Sequence, residues 1–113
     1  MSLSSAMIEA FFKEVAESGI VWTIRDEGGF PTSTNAVGET TMPFWSQKSR
    51  AQKVIDNVPS YRNFRTEPLA LTNFIEAWLP GMKDDGLFVG LNWYGKRATG
   101  YNLAPSEVLD RLI

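Results

Sequence analysis

Ile8, Phe11, Phe12 and Val15 stand at i, i+3, i+4 and i+7, which places them on one face of an amphipathic helix over about Leu3 to Ser18. Ser4 or Ser5 can cap its start, and Gly19 suits the left-handed position that ends it. Ile20 to Arg25 then reads as a strand, β-branched and aromatic, with Ile20, Trp22 and Ile24 on one face. Asp26-Glu27-Gly28-Gly29 is turn chemistry. Phe30 to Thr34 can return as a second strand, confined by Pro31 to an edge or a strand start. Thr40 to Trp45 reads as a third.

Ser46 is placed to cap a second helix, about Gln47 to Asn57, with Ala51, Val54, Ile55 and Val58 as its apolar stripe and Pro59 as its stop. Tyr61 to Thr66 alternates aromatic with polar or basic residues, as a half-exposed strand does. Leu71, Phe74, Ile75, Trp78, Leu79 and Met82 lie at helical spacing behind Thr72, and Pro80-Gly81 should end or sharply kink that third helix. Leu87 to Trp93 carries the strongest strand signal, with Leu87, Val89, Leu91 and Trp93 facing one way. Tyr94 to Thr99 is a loop or hairpin and Gly100 to Leu103 a short strand. Pro105 can open a final helix through Leu112. The order αβββαβαββα predicts one α+β domain over residues 1–113. Its expected architecture is a mostly antiparallel sheet of about five or six short strands, packed by three to four helices on one side.

Composition supports a folded core: hydrophobic residues make up 43% and charged residues 21%, with four tryptophans and seven phenylalanines. The net charge of -2 offers no basic excess for phosphates or an anionic bilayer, so neither nucleic acid nor membrane is expected as a partner. Met1 to Ala10 lacks the basic-then-apolar layout of a signal peptide, and no cysteine calls for an oxidising compartment. A cytoplasmic location is the expectation.

The absence of histidine and cysteine is the most specific chemical fact. It removes imidazole bases, Ser-His-Asp triads, thiolate nucleophiles and thiolate zinc sites. Carboxylate, lysine, tyrosine and serine chemistry remain. Asp26-Glu27 and Asp84-Asp85 both abut glycine and read as solvated turns rather than a convergent acid pair. Gly90 to Lys96 fits the first part of a phosphate loop, GxxxxGK. Arg97 stands where a magnesium-holding Ser or Thr belongs, however, and no helix follows. No cofactor or metal site is expected. Lys48, Arg50, Lys53, Arg62 and Arg65 form the one basic concentration, a solvated face or an acidic-partner contact with Tyr61 and Phe64 nearby. Trp22, Trp78 and Trp93 fall in register with core positions. Trp45 sits at a strand-to-helix junction. If it is exposed beside Asn92 and Tyr94, a recognition surface results.

Val21-Trp22-Thr23-Ile24, Met42-Pro43-Phe44-Trp45-Ser46 with Arg50-Ala51-Gln52, Trp78-Leu79-Pro80-Gly81-Met82 and Val89-Gly90-Leu91-Asn92-Trp93 occur in this order. Together they resemble the bacterial Domain of Unknown Function 2750 family over about Phe11 to Leu112. The resemblance implies a stand-alone bacterial domain and brings no catalytic residues. Pro43-Phe44-Trp45-Ser46 with Arg50-Ala51 is also similar to the SseB family of secretion enhancers, which favours a binding role.

The leading expectation is a non-catalytic protein- or small-ligand-binding module, with Trp45, Ser46, Arg50, Asn92 and Tyr94 as candidate binding residues and no catalytic residue. Its partner would be another protein or a second copy of the chain. An immunity-type, toxin-binding protein is a narrower form of it. The alternative is a small enzyme, which requires two or more of Asp26, Glu27, Asp84, Asp85, Tyr94 and Lys96 to converge in one pocket.

Overall fold

The apolar stripe of the first segment becomes α1, Leu3–Ser18, which buries Ile8, Phe11, Phe12 and Val15. The structure is a computed structural model and describes residues 3–113. Gly19 ends α1 at φ 72°, its N–H bonded to the Val15 carbonyl at 2.8 Å. The chain then runs through β1 (Ile20–Arg25), β2 (Ser33–Thr34), β3 (Thr40–Phe44), α2 (Lys48–Asn57) and β4 (Arg65–Ala70). A helical run over residues 71–84 follows, here α3. It starts at Leu71–Asn73, widens into a π-helical turn at Phe74–Trp78, and is α-helical again at Leu79–Asp84. β5 (Phe88–Leu91), β6 (Asn102–Leu103) and α4 (Pro105–Leu112) complete the chain.

β1 pairs antiparallel with β4, from Ile20 opposite Ala70 to Arg25 opposite Arg65. A second ladder has the order β2-β3-β5-β6, antiparallel at both ends but parallel between β3 and β5. The two ladders meet at Trp22 and Trp45, which exchange both backbone hydrogen bonds at 2.7 Å. Thr23 reinforces the joint by donating its hydroxyl to the Pro43 carbonyl at 3.0 Å.

Alternation along these strands divides the core in two. Val21, Phe44, Leu69, Val89 and Leu91 pack with α1, α3 and α4. Ile24 and Trp45 pack instead with Ala51, Val54, Ile55 and Val58 of α2, together with Trp93 and Ala98. Val21 and Ile24 differ by an odd number of positions and so do Phe44 and Trp45, so the clusters lie on opposite faces. Helices therefore cover both sides of the strands. The expected one-sided packing is corrected by the apolar stripe of α2, which needs a face of its own.

Other expectations shift for identifiable reasons. Pro31 leaves only Ser33–Thr34 of the second strand paired. Tyr61 lies in a short 3₁₀ turn, Pro59–Tyr61, and the strand expected at Tyr61 to Thr66 begins only at Arg65. Pro80 does not end α3. The π turn before it carries the Leu79 N–H to the Phe74 carbonyl, five residues back, and the helix continues to Asp84. β5 stops at Leu91 because Asn92 turns to φ 52°, and Trp93 falls into the α2 cluster instead of continuing the Val89–Leu91 face.

Candidate functional site

A half-open cleft of about 1120 Å³ lies beside α2. One wall is α2 with Gln47 before it and Pro59 after it. The other is the segment from Asn92 to Lys96, and Met7 of α1 lies between the two.

A buried polar network holds these walls together. Asn92 is 1% exposed, and its side-chain orientation is forced by its neighbours. Oδ1 accepts the Ser46 N–H at 2.9 Å, while Nδ2 donates to the Met7 carbonyl and to Ser46 Oγ, each at 3.0 Å. A backbone donor on one side and a backbone acceptor on the other permit a single amide orientation. Ser46, 2% exposed, gives its one hydroxyl proton to Glu14 Oε1 at 2.5 Å, a length typical of a hydroxyl bonded to a carboxylate. Ser46 is thus not a helix cap. Gln47 occupies the cap position of α2, and no side chain closes it.

Glu14 is the hub. Besides Ser46, its carboxylate accepts from Gln47 Nε2 at 2.8 Å and from Arg50 Nε and Nη2, both at 3.2 Å. Arg50 Nη1 also reaches Met7 Sδ at 3.4 Å. Burial pushes the Glu14 carboxyl upward, but the Ser46 and Arg50 hydrogen bonds, with the charges of Arg50 and Lys13, outweigh it and hold it below the ordinary value. A carboxylate with four donors on it is an anchor and is poorly placed to take a substrate proton.

The five candidate residues have separate fates. Arg50, Asn92 and Tyr94 line the cleft. Ser46 lies behind its wall. Trp45 does not meet the exposure condition set for it: it is fully buried and donates Nε1 to the Trp93 carbonyl at 2.8 Å. Its large ring is the floor of the α2 cluster, which excludes direct contact with a ligand. Tyr94 is half-buried, with its hydroxyl 3.1 Å from Ser4 Oγ. The hairpin it opens is closed by paired backbone bonds with Thr99 at 3.2 Å. Tyr61 and Phe64, offered as aromatic anchors, pack edge-on to each other against the α2 cluster, outside the cleft.

Glu14, Met7 and Gln47 were not singled out by the sequence. Met7 and Glu14 are two helical turns apart on α1 and so share a face, at the margin of the apolar stripe. That spacing was visible, but their partner lies 36 positions away from Glu14 and is set only by the fold.

Of the residues an enzyme would use, Tyr94 and Lys96 line the cleft side by side on one hairpin, but all four acids lie elsewhere. Asp26 bonds the Gly28 N–H in its own turn at 2.8 Å, and Asp84 and Asp85 are exposed at the end of α3. The phosphate-loop glycines have structural roles, one in packing and one in a turn. A Cβ on Gly90 would stand 2.4–2.6 Å from the Trp93 indole, so the ring lies directly on that residue. Gly95 adopts φ 82° in the hairpin turn. Among the described residues no group of three or more His, Cys, Asp or Glu side chains could hold a metal ion, and no helix is long and apolar enough to cross a membrane.

Residues 8–112 match the family described as "Protein of unknown function (DUF2750)". No curated protein matches the chain.

Proposed function

We propose that this chain, which belongs to the DUF2750 family of proteins of unknown function, is a non-catalytic binding module whose recognition surface is the cleft between α2 and the 92–96 segment. One observation carries the reading. The cleft wall is pre-organised by a network whose members hold one another: Asn92 ties α1 to the β3–α2 junction, and Glu14 fixes Arg50 along the cleft side of α2. Rigid walls lower the ordering cost of binding, and a mixed lining of Met7, Val54, Pro59 and Trp93 with amides and cations suits recognition. The same network argues against acid–base catalysis, since its one carboxylate is saturated with donors.

The test is a fragment screen read by ¹⁵N chemical-shift changes. Bound fragments should move the backbone signals of Arg50, Lys53, Asn92 and Tyr94 and the Trp93 indole signal as one set. Hits scattered over the surface, or gathered in the smaller hollow of about 280 Å³ beside Met42, Trp78 and Met82, would overturn it.

A further inference from the structure

We infer that the occupant of this cleft is an acidic peptide segment of a partner protein, with an apolar side chain seated on the cleft floor and carboxylates on Lys53 and Lys96. The inference rests on the binding reading above and adds the class of ligand. The chain as a whole is acidic, at -2, yet the cleft lining holds Arg50, Lys53 and Lys96 against the single carboxylate of Asp56. Glu14 answers the charge of Arg50 from behind the wall. Lys53 and Lys96 have no ion-pair partner among the described residues; the pairs there are Arg25–Glu67, Arg50–Glu14 and Arg111–Glu9. They come from opposite walls, one from α2 and one from the 92–96 segment, so an occupant lying between them meets a cation on each side. A positive cleft on a negative protein is charge complementarity to an acidic ligand and steers its approach. Size favours a peptide over a small metabolite. The cleft's volume of about 1120 Å³ is above the roughly 300–1,000 Å³ usual for small-molecule sites, and it is half-open to solvent.

The experiment titrates the full chain against three pools of short fluorescein-labelled peptides by fluorescence polarisation. All share an apolar centre; the flanks are acidic, basic or neutral amides. The acidic pool should bind at least about tenfold tighter than the basic one, and more weakly as salt is added. Lys53→Glu with Lys96→Glu should weaken acidic-pool binding by about tenfold or more, and Lys53→Gln with Lys96→Gln by less. Asp56→Asn, which removes the opposing charge, should tighten it. All these side chains are exposed, and circular dichroism should show each variant folded. Acidic-pool binding that survives the charge reversal, or equal binding of the basic or neutral pool, would overturn the acidic assignment while leaving the cleft a binding site. Binding of no pool would overturn the peptide assignment; fragments filling the cleft in the screen above would then show a small-molecule site instead.

Discussion

Replacing Asn92 with alanine removes three things at once. The residue sits at φ 52°, which asparagine tolerates and alanine resists by about 1 kcal/mol. Its Nδ2 no longer reaches the Met7 carbonyl, and its Oδ1 no longer accepts the Ser46 N–H, a group sealed in the interior. A buried polar group left without a partner costs about 1–3 kcal/mol, toward the low end for Met7, whose side of the site borders the open cleft. The total is about 3–5 kcal/mol, a large share of the roughly 5–15 kcal/mol that holds a domain folded. Urea unfolding followed by tryptophan fluorescence should show the midpoint falling by about 2 M at an ordinary denaturant slope. Two companion variants separate the contributions. Asn92→Gly accepts the backbone geometry and should be about 1 kcal/mol more stable than Asn92→Ala. Asn92→Asp keeps the acceptor for Ser46 but loses both donors and brings a second carboxylate to the hydroxyl that already serves Glu14. It should be no better than alanine at neutral pH. A loss below about 1 kcal/mol in Asn92→Ala would refute the idea that this amide clasps three elements, and a glycine variant as unstable as the alanine one would remove the backbone contribution.

Gly90→Ala drives a methyl group into the Trp93 ring and should destabilise by about 2–3 kcal/mol, whereas Gly95→Ala meets only open space and its positive φ and should cost about 1 kcal/mol; thermal unfolding of the pair gives the ranking. Glu14 has a depressed carboxyl pKa, so its contribution is fully present above the unfolded-state value and is lost as pH falls through the folded one. The stability gap between wild type and Glu14→Gln should therefore shrink as pH drops through and below the ordinary glutamate range, and a constant gap would contradict the network. Trp45→Phe strands the Trp93 carbonyl and shrinks a fully buried ring, for an expected loss of about 2–3 kcal/mol in urea unfolding with the fold retained.

Local signals marked α1 over Leu3–Ser18, because four apolar residues at helical spacing precede a glycine that can turn left-handed. They failed at β4. Tyr61, Phe64 and their polar neighbours alternate loosely enough to suggest a strand, yet three-residue spacing also suits the turn that Pro59 begins. What fixes β4 is long-range: Leu69 pairs opposite Val21 and faces the same core. Pro68, a poor strand residue by propensity, is tolerated because among the described residues β1 alone pairs with β4, leaving an edge where a missing N–H costs little. The opposite-face packing of α2 was likewise hidden, since a sequence shows that a stripe is apolar but not which surface it meets.

The site was legible as a place but not as a set of roles. Trp45, Ser46, Arg50, Asn92 and Tyr94 were singled out as one candidate surface, with Trp93 read as core, and the fold joins the two stretches through Trp45 Nε1 on the Trp93 carbonyl and Ser46 N–H on Asn92. Burial decides what each can do there. Trp45, Ser46 and Asn92 are at most 2% exposed, so Trp45 and Ser46 shape the cleft from behind and Asn92, though it reaches the lining, has almost no surface to offer a ligand. Under the proposed binding role, contact with a ligand falls to residues at the lip, to Lys53, Lys96 and Tyr94, with Arg50 held in position by Glu14. The GxxxxGK spacing shows the same division in one motif. Gly90 is glycine for the sake of an indole ring and Gly95 for the sake of a turn, which leaves Lys96 alone among the three free of any packing duty and presented to the cleft.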